Sequence, residues 1–373
     1  GDVMAIPDAS SLMPLPWQPE VGWVAAELTL NGAPMAQCPR QLLRTQQQRA
    51  AALGFQLRSG VEAEFFLLEA SGEAIADPAD TQIKPCYDQM ALMRRYGLIG
   101  PLLEGMEQLG WGPYQADHED ANGQFEVNWS YADALVTADR HAFFKVMVKS
   151  LAEQQGLRAS FMPKPFSSLT GNGCHTHLSL WDREGRNAFH DPSGELGLSA
   201  VAYQFLAGLI THAPALACLT NPTVNSYRRL AAPPTTSGAT WSPGGISYSG
   251  NNRTHMVRIP DDQRLELRLP DGAVHPYLLQ AAVLAAGLDG LERQLSPGPR
   301  CDNDNYAEPL ATGDAARLPR DLGEALQAFA GDAVLRAALG EDFCRAYEQL
   351  RRRQWEAYRS EVTAWERHTG LDG

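Results

Sequence analysis

The sequence predicts an α+β fold built on a largely antiparallel sheet, and three observations carry the prediction. Apolar residues spaced three and four apart mark helices near 41–53, 87–109, 132–155, 196–217, 275–295, 322–338 and 341–367. Strand candidates fall between them at 61–68, 123–130, 157–162, 173–181, 254–259 and 263–269. The two kinds of element do not alternate regularly and no repeat or low-complexity segment intervenes, which disfavours a doubly wound parallel sheet.

Residues 1–38 are short extended pieces broken by Pro7, Pro14, Pro16, Pro19 and Pro34, with 23–30 the clearest strand. One or two strands cannot stand alone, so this segment is expected to be the latter part of a small N-terminal domain that starts upstream of residue 1. Pro39 suits the first turn of the helix that follows, Gly54 ends it, and the larger unit, 39–373, begins there. The last helix carries Arg351-Arg352-Arg353, Glu356, Arg359 and Glu361, which read as a solvated face rather than a nucleic-acid patch.

The 373 residues, 44% hydrophobic and 20% charged, are enough for a large core, as two or three domains or one large domain with an appendage. A net charge of −13 argues against nonspecific nucleic-acid or anionic-membrane partners, so local cations must meet any anionic substrate. The longest apolar run, 278–288, holds Gln280 and Gly287 and is about half the length of a membrane span, so no transmembrane helix is expected. Gly1-Asp2-Val3-Met4 lacks the form of a signal peptide, although a chain that begins without Met can have lost its true start. Six scattered cysteines without a CxxC pair suggest reduced, cytoplasmic thiols.

Side chains at i and i+2 of a strand share a face, and four strands carry unusual faces. Glu62 and Glu64 share one face of an otherwise apolar segment. Gln124, Glu126 and Asn128 oppose Phe125, Val127 and Trp129; His175, His177 and Ser179 oppose Cys174, Thr176, Leu178 and Leu180; Arg264, Glu266 and Arg268 alternate with leucines. One such strand reads as the wet side of a surface sheet. Four together, rich in Glu, His and Arg and flanked by glycines, point to a site. Glu62 beside Glu64 costs energy unless a cation neutralises the pair, so a carboxylate-rich metal site is expected.

Oxygen-dominated ligation with one imidazole suits Mg²⁺ or Mn²⁺ better than Zn²⁺, and Cys174, pointing away from His175, is not counted as a ligand. Arg228, Arg229, Arg253, Arg258, Arg264 and Arg268 follow in the sequence. Divalent ions beside several arginines are what a polyphosphate requires, which implies ATP, here without the glycine-rich phosphate-loop motif.

Glu62-Ala63-Glu64-Phe65-Phe66, His118-Glu119 with Gly123-Gln124-Phe125-Glu126, Gly171-Asn172-Gly173-Cys174-His175-Thr176-His177, Asn221-Pro222-Thr223-Val224-Asn225-Ser226-Tyr227-Arg228-Arg229-Leu230, Asn252-Arg253 and Arg264-Leu265-Glu266-Leu267-Arg268 occur in the order seen in the glutamine synthetase family, which the chain resembles from about residue 1 to its C-terminus. The resemblance implies a catalytic domain over 39–373, with a curved antiparallel active-site sheet surrounded by helices, and makes 1–38 the remnant of an N-terminal β-grasp domain. It implies that Glu64, Glu119 and Glu126 hold the metal at the substrate carboxylate, and that Glu62, His175 and Glu266 hold the metal between ATP phosphates. Two or more Mg²⁺ or Mn²⁺ ions per site are implied. Arg229 and Arg268, with Gly171 in the adjacent loop, resemble the glutamate contacts, while Arg253, Arg258 and Arg264, with His177 and Ser179, resemble the nucleotide contacts. Arg229, Arg253 and Arg268 would be the catalytic arginines. The resemblance also implies a homo-oligomer, a dodecamer of two hexameric rings with active sites at subunit interfaces.

The implied chemistry has two steps. The γ-carboxylate of L-glutamate attacks the γ-phosphate of ATP, and an amine then displaces phosphate from the γ-glutamyl phosphate. One departure bears on the amine. Ammonia-using members carry a glutamate in a mobile loop, whereas here Ala231-Ala232-Pro233-Pro234-Thr235-Thr236-Ser237-Gly238 has no acid, and Thr235 or Thr236 is the nearest candidate. Thr170 stands where the family usually places an Asn, and the aspartate expected to hold ammonium lies upstream of residue 1. Loss of a negative charge favours a small alkylamine, methylamine above all, and the type III branch that includes γ-glutamylmethylamide synthetases. Ammonia and polyamines are the alternatives. Tyr306, where some members are nucleotidylated, lacks matching flanks and reads as structural. A noncatalytic scaffold would have lost ligands, yet all six positions are filled; a guanidino kinase, more remote, would leave its phosphate on nitrogen.

Overall fold

The computed structural model describes residues 1–230, 232–238, 240–306 and 317–371. Five short strands fill the first 34 residues: β1 (Val3–Pro7), β2 (Met13–Leu15), β3 (Gln18–Trp23), β4 (Ala26–Leu30) and β5 (Ala33–Pro34). The single strand expected at 23–30 is two, because the chain bends at Val24-Ala25, where the Ala25 carbonyl accepts the Asp8 amide at 2.8 Å. β1, β4 and β5 form one antiparallel sheet, and β2 and β3 a separate hairpin. These strands are tied to the body by buried Arg40, which lies 2.8 Å from Asp8, 3.1 Å from Glu27 and 2.9 Å from Asp139.

Arg40 sits in α1 (Pro39–Ala52), followed by β6 (Gln56–Ala63), β7 (Phe65–Glu69), α2 (Gln89–Arg94), α3 (Tyr96–Gln108), β8 (Pro113–His118), β9 (Gln124–Trp129), β10 (Ala132–Asp133), α4 (Ala134–Gln154), β11 (Leu157–Ser160) and β12 (Cys174–Trp181). Next come α5 (Ala200–Thr220), α6 (Ser226–Arg229), β13 (Tyr248–Ser249), β14 (Val257–Asp261), β15 (Arg264–Leu267) and α7 (Pro276–Glu292). The chain ends in α8 (Leu322–Gly331), α9 (Ala333–Leu339), α10 (Glu341–Ser360) and α11 (Ala364–Gly370). Three expected helices are each divided in two: 87–109 at Arg95, 322–338 at Asp332, which caps α9 through the Leu335 amide, and 341–367 at 361–363. β8 was not foreseen, since Pro113-Tyr114-Gln115-Ala116-Asp117-His118 shows no apolar alternation; its register with β9 forms it.

A six-stranded sheet runs β10-β6-β12-β15-β14-β13, antiparallel except for the β13–β14 pair, and a four-stranded sheet runs β11-β7-β9-β8. The expected strand 61–68 is therefore broken at Glu64, where the chain leaves the larger sheet for the smaller. Helices pack behind. α7 is buried along nearly its whole length and touches α1, α4 and α5. A Cβ at Gly208 of α5 would lie 2.0 Å from the Ala286 carbonyl oxygen, and one at Gly287 would lie 2.1 Å from the Phe205 ring, so α5 and α7 meet backbone to backbone at Gly208 and ring to backbone at Gly287. Among the described residues α5, not 278–288, is by length and composition the helix apolar enough to cross a membrane, and here it is mostly buried as a core helix.

Candidate active site

The larger sheet builds one wall of the site through its pairing. β12 lies between β6 and β15, with His175 opposite Glu62 and His177 opposite Glu266. Side chains two apart on β12 thus meet acids from both neighbouring strands. His175 Nδ1 lies 3.2 Å from Glu62 Oε2, and His177 Nε2 lies 2.8 Å from Glu62 Oε1. The break in the strand brings in Glu64: its Oε2 accepts the Gly173 amide at 2.7 Å and Gln124 Nε2 at 3.1 Å, and its Oε1 is 4.0 Å from His175 Nδ1. Glu64 therefore reaches the site from the junction of two sheets, not from one continuous strand as expected.

The smaller sheet and its turn contribute Glu119 and Glu126. Asn128 Nδ2 donates to Glu126 Oε1 at 2.8 Å, as the shared face of β9 predicts. Glu119 is placed by a buried cluster. His118 lies 2.9 Å from the Glu119 carbonyl through Nδ1 and 2.6 Å from Asp80 through Nε2, and Asp80 also accepts the Gly123 amide at 2.6 Å. Sequence reasoning missed Asp80, which sits far upstream in a segment with no periodic pattern.

Donor atoms of Glu62, Glu126 and His175, and of Glu62, His177 and Glu266, gather within 4.8 Å of one another. His175 Nε2 and His177 Nδ1 are buried without a hydrogen-bond partner. Burial, reinforced by neighbouring carboxylates, pushes Glu119 up to about 8 and Glu126 well above the usual carboxylate range. Burial likewise carries Glu64 up to about 7, against the pull of Arg229. Burial also acts on Glu62 and Glu266, but the imidazoles of His177 and His175 hold Glu62 well below its ordinary value, and Arg268 with the same rings holds Glu266 at about 2. Crowded carboxylates, Glu62 and Glu266 held low and Glu64, Glu119 and Glu126 pushed up, next to orphaned imidazole nitrogens, form a donor set that fits hard divalent cations.

The arginines divide into two groups. Arg229 and Arg268 are 3% and 1% exposed. Arg229 is held by the carbonyls of Leu269 at 3.2 Å and Arg268 at 3.3 Å, and Arg268 is ion-paired to Glu266. Arg258 pairs with the other Glu266 oxygen at 2.6 Å. Arg253 and Arg264 are exposed, with Arg264 3.0 Å from Asp261. Gly171 is buried against Arg229, and a Cβ there would lie 2.3 Å from the Pro163 carbonyl oxygen.

Beside Glu62 lies a cavity of about 560 Å³ lined by Arg58, Tyr131, His177, Ser179, Trp181 and Arg264, among others. Arg58 stacks 4.0 Å over the Trp181 ring, and Trp181 Nε1 donates to Ser179 Oγ at 3.0 Å. Trp181 continues the i, i+2 row of His175, His177 and Ser179, so the same alternation points to it.

The loop 232–238 carries no acid of its own, and Ala231 and Ala239 lie outside the described residues. A carboxylate from another segment nevertheless lies against it: Asp120 accepts hydrogen bonds from Thr170 Oγ1 at 3.1 Å and from Ser237 Oγ. Thr235 Oγ1 is 3.3 Å from Thr170 Oγ1, while Thr236 is exposed and reaches the Ser168 carbonyl at 3.4 Å. Tyr306 donates to the Ser242 carbonyl at 3.3 Å, and all six cysteines are free.

Residues 36–369 match the family model described as glutamine synthetase, catalytic domain. A glutamine synthetase of Rhizobium leguminosarum bv. phaseoli is 57% identical over 372 residues, covering 100% of this chain and 86% of that protein. A glutamate–methylamine ligase of Methyloversatilis universalis is 44% identical over 381 residues, covering 100% and 85%. Among solved structures, a GmaS–ADP complex superposes with a TM-score of 0.97 at 60% identity, covering 100% of this chain and 86% of that one.

Proposed function

The chain belongs to the glutamine synthetase family, and from that premise we propose that this ATP-dependent carbon–nitrogen ligase joins L-glutamate to a small alkylamine, with methylamine as the leading acceptor. The observation that carries the reading is the loop 232–238, which carries threonines and a serine and no acidic side chain. The likeness to a glutamate–methylamine ligase and to GmaS supports it.

We assign the residue roles from the family resemblance, whereas in the structure the donor atoms gather as Glu62, Glu126 and His175 and as Glu62, His177 and Glu266. Divalent cations, held by Glu64, Glu119 and Glu126 and by Glu62, His175 and Glu266, would neutralise the facing carboxylate and phosphate oxygens. Arg229, fixed by two backbone carbonyls, and Arg268 present guanidiniums to the carboxylates of glutamate. Gly171 lets the adjacent backbone approach. Arg253, Arg258 and Arg264 face the phosphates from the rim, with His177, Ser179 and Trp181 lining the nucleotide cavity. The γ-carboxylate oxygen then displaces ADP from the γ-phosphorus, and the amine nitrogen displaces phosphate from the acyl carbon. Thr235 and Thr236 line the acceptor side, and the loop keeps water from the acyl phosphate.

Within this reading, residues 1–38 are the latter part of an N-terminal domain, 39–373 the catalytic domain, and the active assembly a dodecamer with shared sites. Six free thiols fit a cytoplasmic setting. Ammonia is the second reading, favoured by the 57% identity to a protein named glutamine synthetase. Phosphate release with methylamine, ethylamine and ammonia at matched free-base concentration separates the two. A higher kcat/KM for methylamine is expected; a clear preference for ammonia overturns the alkylamine assignment.

A further inference from the structure

Three separate segments converge on one carboxylate oxygen. Asp120 Oδ2 accepts a hydrogen bond from Thr170 Oγ1 at 3.1 Å and another from Ser237 Oγ. Thr235 Oγ1 lies 3.3 Å from Thr170 Oγ1 and 3.0 Å from Ser237 Oγ, closing a ring of hydroxyls around the acid. Asp120 is 7% exposed and Ser237 9%. Asp120 follows Glu119 directly, Thr170 precedes Gly171, and Ser237 belongs to the loop 232–238. The ring therefore joins the metal-side turn, the glutamate-side loop and the acceptor-side loop. Hydrogen bonds from hydroxyls to an ionised carboxylate are about twice as strong as neutral ones, and a buried carboxylate is costly without them.

Resting on the reading of residues 232–238 as the acceptor-side loop, we propose that Asp120 is a positioning residue, the latch that holds this loop shut while the γ-glutamyl phosphate exists. The latch decides which nucleophile takes the acyl group. When the amine nitrogen attacks, its lone pair forms the C–N bond, the C–O bond to phosphate breaks, phosphate leaves with the electron pair, and the nitrogen gives a proton to the departing phosphate. When water attacks instead, the same C–O bond breaks and glutamate is regenerated. The second route consumes ATP without product, and it opens when the loop lifts. The row of short hydroxyls thereby acts through the acid of a different segment, which local sequence spacing could not reveal.

The test measures ADP and γ-glutamyl amide together in the full-length protein with ATP, Mg²⁺, glutamate and methylamine. Wild type should release about one ADP per amide, whereas Ser237→Ala and Asp120→Ala should release about three or more, with the excess matched by recovered glutamate. Asp120→Asn, whose amide oxygen still accepts both hydroxyls, should return the ratio to within about twofold of wild type. A ratio that stays near one in both alanine variants overturns the latch. So does an Asp120→Asn variant that keeps the ratio but raises the amine KM as much as Asp120→Ala, because Asp120 would then be an amine-charge site. Ser237→Cys replaces Ser237→Ala where that variant melts early, and loss of all ADP release from a variant that melts like wild type also overturns the proposal. A wild type that prefers ammonia refutes the alkylamine reading alone, and the same ratio is then measured with ammonia.

Discussion

The Gly173 amide donates to Glu64 Oε2 at 2.7 Å at the point where the chain passes from one sheet to the other. A Cβ at Gly173 would lie 2.8 Å from Arg229 Nη2, 2.9 Å from His175 Nε2 and 3.0 Å from Glu64 Oε1. One methyl group would therefore press on an arginine, an imidazole and a carboxylate together. Gly173→Ala should lower kcat/KM by about 100-fold, since displacements near 1 Å cost that much, while a melting curve shows the fold retained. Activity within twofold of wild type would show that the close approach is not needed.

The acids of the site make stability depend on pH when no cation is bound. Glu64, at about 7, and Glu119, at about 8, lie above their usual 4.5, so the stability tied to their neutral forms is present below about pH 4.5 and is lost as pH rises through 7 to 8. In chelator, Tm should fall by on the order of 5 °C between pH 5 and 8, and saturating Mg²⁺ should flatten the slope and release protons on binding. Equal slopes with and without Mg²⁺ would place cation binding elsewhere. Glu62 and Glu266, held low, act with the opposite sign below pH 4.5.

Trp181 forms a flat apolar wall of the cavity beside His177, with Arg58 stacked on its ring. Stacking of a base on such a ring is worth roughly 1–3 kcal/mol. Trp181→Ala should raise the KM for ATP by about tenfold or more and leave that for glutamate within about twofold, as read from initial rates. A change in both would mean that the ring supports the fold rather than the nucleotide.

Arg40 is nearly dry and meets Asp8, Glu27 and Asp139 at once. Removing it leaves Asp139 without its cation and leaves Asp8 and Glu27, on the first 34 residues, with Arg44 alone. Arg40→Met should cost about 3–5 kcal/mol and, in limited proteolysis, expose residues 1–34 to cleavage before the rest. Wild-type melting and cleavage would mean that Trp17 and Trp23 against Phe143 suffice for docking.

Much of this was legible from two-residue periodicity. The faces of β12 and β15 bring His175, His177 and Glu266 near Glu62, because both neighbours of β12 present acids to the same side, and the face of β9 sets Glu126 beside Asn128. The break at Glu64 was not legible, since a change of sheet within an apolar run leaves the alternation intact. Asp80 and Asp120 escaped for another reason: each acts through partners far along the chain, and no spacing within a segment encodes such a meeting. The split helices were missed because Arg95 and Asp332 interrupt the backbone but not the apolar pattern.

The close contact of α5 with α7 at Gly208 and Gly287 has a cost for the distant catalytic wall. Backbone alone faces Gly208 and the Phe205 ring fills the space at Gly287, so even a single added carbon there would wedge the two rods apart, and α5 also touches β15, the strand that bears Glu266. Tuning of the reaction can thus be lost by changes deep in the scaffold, where no substrate ever arrives.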